Sequence, residues 1–302
     1  MAEPVTVLDW NLGYGGLGEE SDFVMDGGQN LLPPGKKIVA KNIKGIQGLL
    51  RIHPADIYFF QEISRPDMLN LGFDVFEAVK TTLTGYSSRF TFDFHTLFIP
   101  RKWALKHGLA TFAKSPPKKF DIRRLPYEPT RLGKLLQRQY HIQASHYMIE
   151  GKPWVFVNIH LSAFDEGGNV RIRQLEALML IARDYYEAGN HVVIGGDWNM
   201  QLQETHFPNT TNMKDLFWLK KLPKEKLPDG WTLAVDISTP SVRTNYQPYK
   251  KGENYTTNID GFLVSPNVEV LEVITIDTGF KYTDHQPVLG RFRSRTPEQA
   301  HQ

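Results

Sequence analysis

The chain has 302 residues, 41% of them apolar, and a formal net charge of +2. That is enough apolar material for a sizeable core, and too little charge for composition alone to mark a nucleic-acid binder. There is no cysteine, which excludes disulfides, thiolate metal sites and a thiol nucleophile and leaves oxygen and imidazole as metal donors, a set that suits a hard ion such as Mg²⁺.

Val5 to Leu12 alternate loosely and predict a strand, followed by a Gly-rich loop through Gly28 and a stop at Pro33-Pro34-Gly35. From Lys37 the apolar positions Ile38, Val39, Ile43, Ile46, Leu49 and Leu50 recur at helical spacing, and His53-Pro54 ends the run before a strand at Asp56 to Phe60, which would put Glu62 just past it. The middle reads less clearly, with strands expected at Ser88 to Phe94, Thr96 to Ile99 and Gly108 to Phe112, then a basic, Pro-containing loop. Tyr140 to Glu150 and Pro153 to Ile159 predict a hairpin turning at Gly151-Lys152, with His160 at its end. Arg171 to Ala188 predicts a helix with Ile172, Leu175, Leu178, Met179, Ala182 and Tyr185 on one face, closed by Gly189-Asn190. His191 to Gly195 reads as a buried strand delivering Asp197. After a loop-rich segment, Ile259 to Val264, Val268 to Ile276 and Val288 to Phe292 read as closing strands. No repeat or linker divides the chain, so one domain over 1–293 with a polar tail over 294–302 is expected.

Three features need weighing. Lys114, Lys118, Lys119, Arg123, Arg124, Arg131, Lys134 and Arg138 are opposed only by Asp121 and Glu128; they form either a solvated loop or a surface that attracts a polyanionic substrate. Gly13-Tyr14-Gly15-Gly16-Leu17-Gly18 spells the dinucleotide-binding fingerprint after a strand. That motif needs a helix starting inside it, whereas acidic residues, Gly27-Gly28 and a double proline follow, so a flexible active-site loop is the better reading. No apolar stretch reaches membrane-spanning length and the N-terminus lacks a leader pattern, so no transmembrane segment and a cytoplasmic location are expected.

Chemistry concentrates in six islands near strand ends: Asn11 in LDWNL, Glu62 in FFQEI, His160 in NIHLS, Asp197 and Asn199 in GGDWN, Asp260 in NIDGF, and Asp284-His285 in TDHQP. Polar residues directly after apolar runs sit at the rim of a core, where distant segments converge on one ion and one phosphate. In this order, over roughly Val5 to Phe292, the islands resemble the endonuclease/exonuclease/phosphatase superfamily. The resemblance implies a four-layer α/β/β/α sandwich of two mixed sheets flanked by helices, with the site at one rim, and Mg²⁺-dependent hydrolysis of phosphoric esters, with Mn²⁺ as the alternative cofactor.

By that resemblance Glu62 is the expected metal ligand, with Asn11 and Asp284 beside it, since Mg²⁺ keeps several waters and takes one or two protein carboxylates. Asp197 would orient and deprotonate the attacking water and Asn199 position it. His160 and His285 would donate to phosphoryl oxygens, and Asp260 would hold the His285 tautomer. Arg138, Arg243 and Tyr249 fall in segments bordering the family's site, as phosphate contacts or as surface side chains in equal measure. Abasic-site endonucleases usually carry Asn where His160 stands, and Phe90 to Phe112 shows no clear counterpart of the carboxylate that pairs with this histidine in pancreatic-type deoxyribonucleases. The expected partner is therefore a phosphoester substrate, in first place a nuclease-like phosphodiester, with a membrane-lipid headgroup as the alternative, taken by a monomer. A non-catalytic binding module on the same fold is the reading outside the class.

Overall fold

The computed structural model describes residues 3–96, 103–127, 139–163, 169–212, 216 and 219–295. Alternation along β1 (Val5–Asn11) decides the layering. Leu8 and Trp10 point outward and join Val39, Ile43, Ile46 and Leu50 of α1 (Lys36–Ile52) and Val75, Phe76 and Val79 of α2 (Val75–Thr82). Val5 and Val7 point the other way, onto Phe156, Val193 and Phe262 of the opposite sheet. The helical spacing predicted from Lys37 is thus the face α1 buries. Its neighbour α2, capped by Asp74 accepting from the Glu77 N–H, was not anticipated in the middle segment.

The first sheet continues with β2 (Ile57–Ser64), β3 (Ser87–His95) and β4 (Lys106–Ala113). The second holds β5 (Lys119–Arg124), β6 (His141–Ile149), β7 (Lys152–His160), β8 (His191–Asp197) and β9 (Thr232–Ala234). Between β7 and β8 lies α3 (Asn169–Glu187), whose Leu175, Leu178, Met179, Ala182 and Tyr185 cover that sheet's outer face. Val242–Arg243 (β10) and Thr256–Thr257 (β11) form a short ribbon beside the site. The chain closes with β12 (Asp260–Val264) in the second sheet and β13 (Val268–Thr275) and β14 (Val288–Ser294) in the first. Among the described residues the sheet orders are β13-β14-β1-β2-β4-β3 and β5-β6-β7-β8-β12-β9, which with the helices gives the expected α/β/β/α sandwich.

Each sheet has one parallel pair, β1 with β2 and β7 with β8, so the carboxyl ends of four strands open on one rim. Along the inward face, apolar residues give way to an amide layer and then to site residues. Gln61 donates to Asp9 at 2.7 Å and to Asn158 at 2.9 Å, and Asn158 donates to the Ala110 carbonyl at 3.1 Å, tying the two sheets one step below the rim.

Three expectations need correction, and a fourth falls mostly outside the described residues. Glu62 does not follow a strand that ends at Phe60: β2 runs on to Ser64, and Glu62 sits at an irregularity against β4, between Phe60 and Ile63, with φ 49°. Such a bulge re-aims a side chain that strict alternation would have turned away. On α3 the buried first-turn residue is Arg171, not Ile172, because the Arg171 guanidinium donates to the Asn199 carbonyl. The expected strand at Thr96 to Ile99 begins at a residue outside β3, and 97–99 lie outside the described residues. Lys119 to Arg124 form the edge strand β5, not a loop, while Glu128, Arg131, Lys134 and Arg138 lie outside the described residues.

The amide layer yields a prediction. Asn158→Ala leaves the Ala110 carbonyl and a Gln61 N–H without this partner in a dry interior, at a cost of about 2–3 kcal/mol. Urea unfolding should show that loss as a lower midpoint at unchanged slope; a loss under about 0.5 kcal/mol would show the layer does not hold the sheets.

Candidate active site

Eight of the expected residues meet at the rim. Asn11 Nδ2 donates to Asp197 Oδ2 at 3.0 Å, joining the end of β1 to the end of β8. The other Asp197 oxygen accepts from the Asn199 N–H at 2.8 Å, and the Asn199 amide donates to the Leu161 carbonyl at 2.9 Å. His160 Nε2 and His285 Nε2 stand 3.6 and 3.8 Å from Asp197 Oδ2, and His160 lies 3.9 Å from Glu62. His285 Nδ1 is 2.9 Å from Asp260 Oδ2, which also accepts from the Ser241 hydroxyl at 2.6 Å. Asp284 accepts from the Asn245 amide at 2.6 Å and the Thr283 hydroxyl at 3.1 Å.

Local sequence explains several of these placements. Gly13 follows β1 with φ 49°, and a Cβ there would come within 2.7 Å of Asp284 Oδ1, so only glycine lets the loop lie against that carboxylate. The Gly-rich run therefore serves close approach at the rim. It forms a 3₁₀ turn over Gly13–Gly15 where a dinucleotide site would need an α-helix. Tyr14, inside that turn, reaches over to donate to Glu62 at 2.8 Å.

Residues the sequence reading missed complete the wall. Asp26, in the same loop, accepts from Asn245 Nδ2 at 3.0 Å, so one amide bridges Asp26 and Asp284. Asp26 before Gly27-Gly28 reads as a turn former, and nothing local connects it to Asn245. Arg243 is buried, and its NH1 and NH2 groups donate to main-chain carbonyls of Thr244 at 3.1 Å and Gly18 at 2.8 Å, with longer contacts to Leu17 and Ser21. The guanidinium lines the pocket and clamps the Gly-rich loop through its terminal nitrogens, while its buried Nε has no partner among the described residues; burial removes the surface-side-chain reading of it. Tyr249 stands behind the site against Phe280, its ring 5.9 Å from the Arg243 guanidinium. Arg138 lies outside the described residues. Asp93, in the stretch searched for a histidine partner, lies 3.3 Å from His141 Nδ1.

The pocket is a narrow cavity of about 60 Å³ into which Asn11, Glu62, Asp197, Asn199, Asp284 and His285 project. Its electrostatics are dominated by buried carboxylates. Burial pushes Glu62 up to about 8; Asp284 adds repulsion and the Tyr14 hydroxyl pulls it back. Burial likewise pushes Asp197 up to about 7, against the opposing pull of His285 and with Asp260 reinforcing it. Asp26 is pushed up to about 6 by burial, moderated by Asn245. For His285 burial alone would lower the pKa, but Asp260 and then Asp197 raise it well above its ordinary value, which keeps the ring an imidazolium.

Asp197, Asp260 and His285 each offer a ligand atom, the three within 4.8 Å of one another, a cluster able to coordinate a divalent ion. Carboxylates too crowded to ionise together, with only oxygen and nitrogen donors, fit a divalent cation. No helix among the described residues is long and apolar enough to cross a membrane. Lys119 on β5 pairs with His146 on β6, whereas Arg124 pairs with His141, so Lys118 and Lys119 sit at the opposite pole of the sandwich, roughly 17 Å along the strand from the rim end.

The family described as Endonuclease/Exonuclease/phosphatase family matches residues 10–285. No curated protein matches the sequence. Among solved structures, the endonuclease/exonuclease/phosphatase from Beutenbergia cavernae DSM 12333 superposes with a TM-score of 0.66 at 15% identity, over 97% of this chain and 72% of that one. ANGEL2, described as a 2',3'-cyclic phosphatase and bound to adenosine-2',3'-vanadate, gives 0.61 at 13% identity over 98% and 97%. D. rerio TDP2 with a single-strand DNA product gives 0.58 at 14% over 96% and 99%. At such identities the likeness shows the fold.

The raised carboxyls predict a pH dependence. A carboxyl whose pKa is higher folded than unfolded contributes stability that is complete below its unfolded value, 4.5 for Glu62 and 3.8 for Asp197, and that is lost as pH rises through about 8 and about 7. Thermal unfolding in EDTA should therefore show the metal-free protein losing stability from about pH 5 to about pH 8, with Glu62→Gln flattening the fall and Mg²⁺ reversing it at the upper end. A stability that is level or rises over that interval would contradict the electrostatic picture.

Proposed function

Because the chain belongs to the endonuclease/exonuclease/phosphatase family, we propose that it is a divalent-metal-dependent phosphoric-ester hydrolase and that its preferred substrates are diesters. The observation that carries the reading is the convergence of Asn11, Glu62, His160, Asp197, Asp284 and His285 on one rim, from both sheets.

Glu62, flanked by Asn11 and Asp284, would hold Mg²⁺ or Mn²⁺, which when bound neutralises charge on the phosphoryl oxygens. The Asp197-Asp260-His285 cluster is the less apt seat, because Asp260 already serves His285 and Ser241. Asp197, fixed by Asn11 and the Asn199 N–H and with a pKa near neutrality, would take the proton of the attacking water. The imidazolium of His285, held by Asp260, would donate from Nε2 to a phosphoryl oxygen, and His160 would donate from the other side. At 3.6 and 3.8 Å from Asp197, both rings stand just beyond hydrogen-bond distance of it, so neither Nε2 is committed to that carboxylate.

Diesters are preferred because of what lines the pocket. Among the described residues no lysine does, and Arg243 is spent on carbonyls. A wall of carboxylates whose basic side chains are already engaged, His285 by Asp260 and Arg243 by carbonyls, tolerates a singly charged diester better than a doubly charged monoester. A lipid-headgroup diester is the second reading: Val24, Met25, Leu31 and Leu32 are exposed on the loop that carries Asp26, an apolar border beside the pocket.

Hydrolysis of bis-(p-nitrophenyl) phosphate, single-stranded DNA, RNA and sphingomyelin, each with EDTA and with added Mg²⁺ or Mn²⁺, tests the proposal. Activity on at least one should disappear in EDTA and return with metal, and Asp197→Asn and His160→Ala should each lower it by at least about 10²-fold while the protein stays folded. Full activity in EDTA, or near-native rates in either folded variant, would overturn it.

A further inference from the structure

The two sheets leave a second cavity at the pole away from the rim, between the edge strands β3 and β5, of about 340 Å³. Its walls occupy positions that in a sandwich belong to the inter-sheet core. Gln143 on β6 reaches across to Thr111 at 2.7 Å and Thr91 at 2.9 Å, so this face of β6 looks toward the other sheet. Two and four residues on, the same face presents Ser145 and Tyr147. Across β5 the register sets Phe120 beside Ser145, and in the first sheet Arg89 beside Thr111.

These inward positions are polar. Ser145 is 1% exposed, and its hydroxyl and the buried hydroxyl of Tyr147 have no partner among the described residues except each other. A hydroxyl pair left in a dry interior still lacks part of its hydrogen bonding, a cost that apolar residues would have avoided. Among the described residues the charged side chains around the opening are Arg89, Lys118 and Lys119, and no carboxylate lines the cavity. Lys119 is paired with Asp121 at 2.9 Å, whereas Arg89 and Lys118 have no ion pair among the described residues. Arg89 is braced instead over the Phe120 ring, 5.8 Å from its centre.

We propose that this cavity is a second, non-catalytic site that binds a small phosphate-bearing anion between Arg89 and Lys118, with the Ser145 and Tyr147 hydroxyls donating to its oxygens. The site stands independently of the chemistry at the rim: it lies on the other pole, shares no residue with the first pocket, and needs no metal. It also gives the Lys118-Lys119 part of the basic segment a purpose that steering substrate to a distant rim does not.

Calorimetric titration of the full chain with inorganic phosphate in EDTA, at constant ionic strength, tests this, because the metal-free rim repels anions. Saturable binding is expected, weakened about tenfold by Arg89→Ala and by Lys118→Ala, as befits a lost charge-assisted hydrogen bond. Ser145→Ala, which removes a hydroxyl without disturbing charge, should weaken it too, while Asp197→Asn leaves it unchanged. No saturable binding, binding unaffected by Arg89→Ala, or binding of an oligothymidylate without binding of phosphate would overturn the proposal.

Discussion

The hydrogen bond from Asn11 to Asp197 joins side chains 186 residues apart at the ends of the central strands of two different sheets. It forms only if both sheets are in register, stacked face to face, and turned so that their parallel pairs open the same way. The amide layer beneath enforces that stacking: Gln61 holds Asp9 and Asn158 together, and Asn158 reaches the backbone of β4. Directional bonds in a dry interior fix relative position more tightly than apolar contact alone. The rim is therefore rigid where the chemistry needs it, and loops supply the rest.

That rigidity carries an electrostatic burden. Glu62, Asp197 and Asp284 are drawn into one small cavity; burial first, then repulsion from Asp284 on Glu62 and from Asp260 on Asp197, raises the pKa of Glu62 and of Asp197. Around them, besides the His285 ring, the structure places neutral donors: Tyr14 on Glu62, Asn245 on Asp26 and Asp284, Asn11 and the Asn199 N–H on Asp197. Arg243 holds the Gly-rich loop by its carbonyls. A pocket built in this way offers oxygen and imidazole donors able to coordinate a divalent ion.

Much of this was legible in the sequence because it is written locally. Apolar runs ending in Asn11, His160 and Asp197 identify strand ends, and the spacing in α1 and α3 identifies buried faces. What was not legible depends on tertiary partners. Glu62 reads as a residue after a strand, because the irregularity that turns it inward exists only against β4. Arg243 reads equally as a phosphate contact or a surface side chain, because the carbonyls that bury and hold it belong to a loop 225 residues earlier. Asp26 and Asn245 look like turn residues until the fold brings them together, and Lys118 and Lys119 look like neighbours of the site until the register of β5 carries them to the other pole.

The central claim is that the carboxylates gathered at the rim form one divalent-cation site seated on Glu62 and Asp284. Electron paramagnetic resonance of free Mn²⁺ titrated into the metal-free protein tests it directly, since the sharp signal of the hydrated ion is lost on binding. The account predicts a single tight site in the wild-type chain, lost in Glu62→Gln and in Asp284→Asn and retained in Arg89→Ala. Wild-type protein that leaves Mn²⁺ free, or variants that bind it as tightly as the wild type, would contradict it.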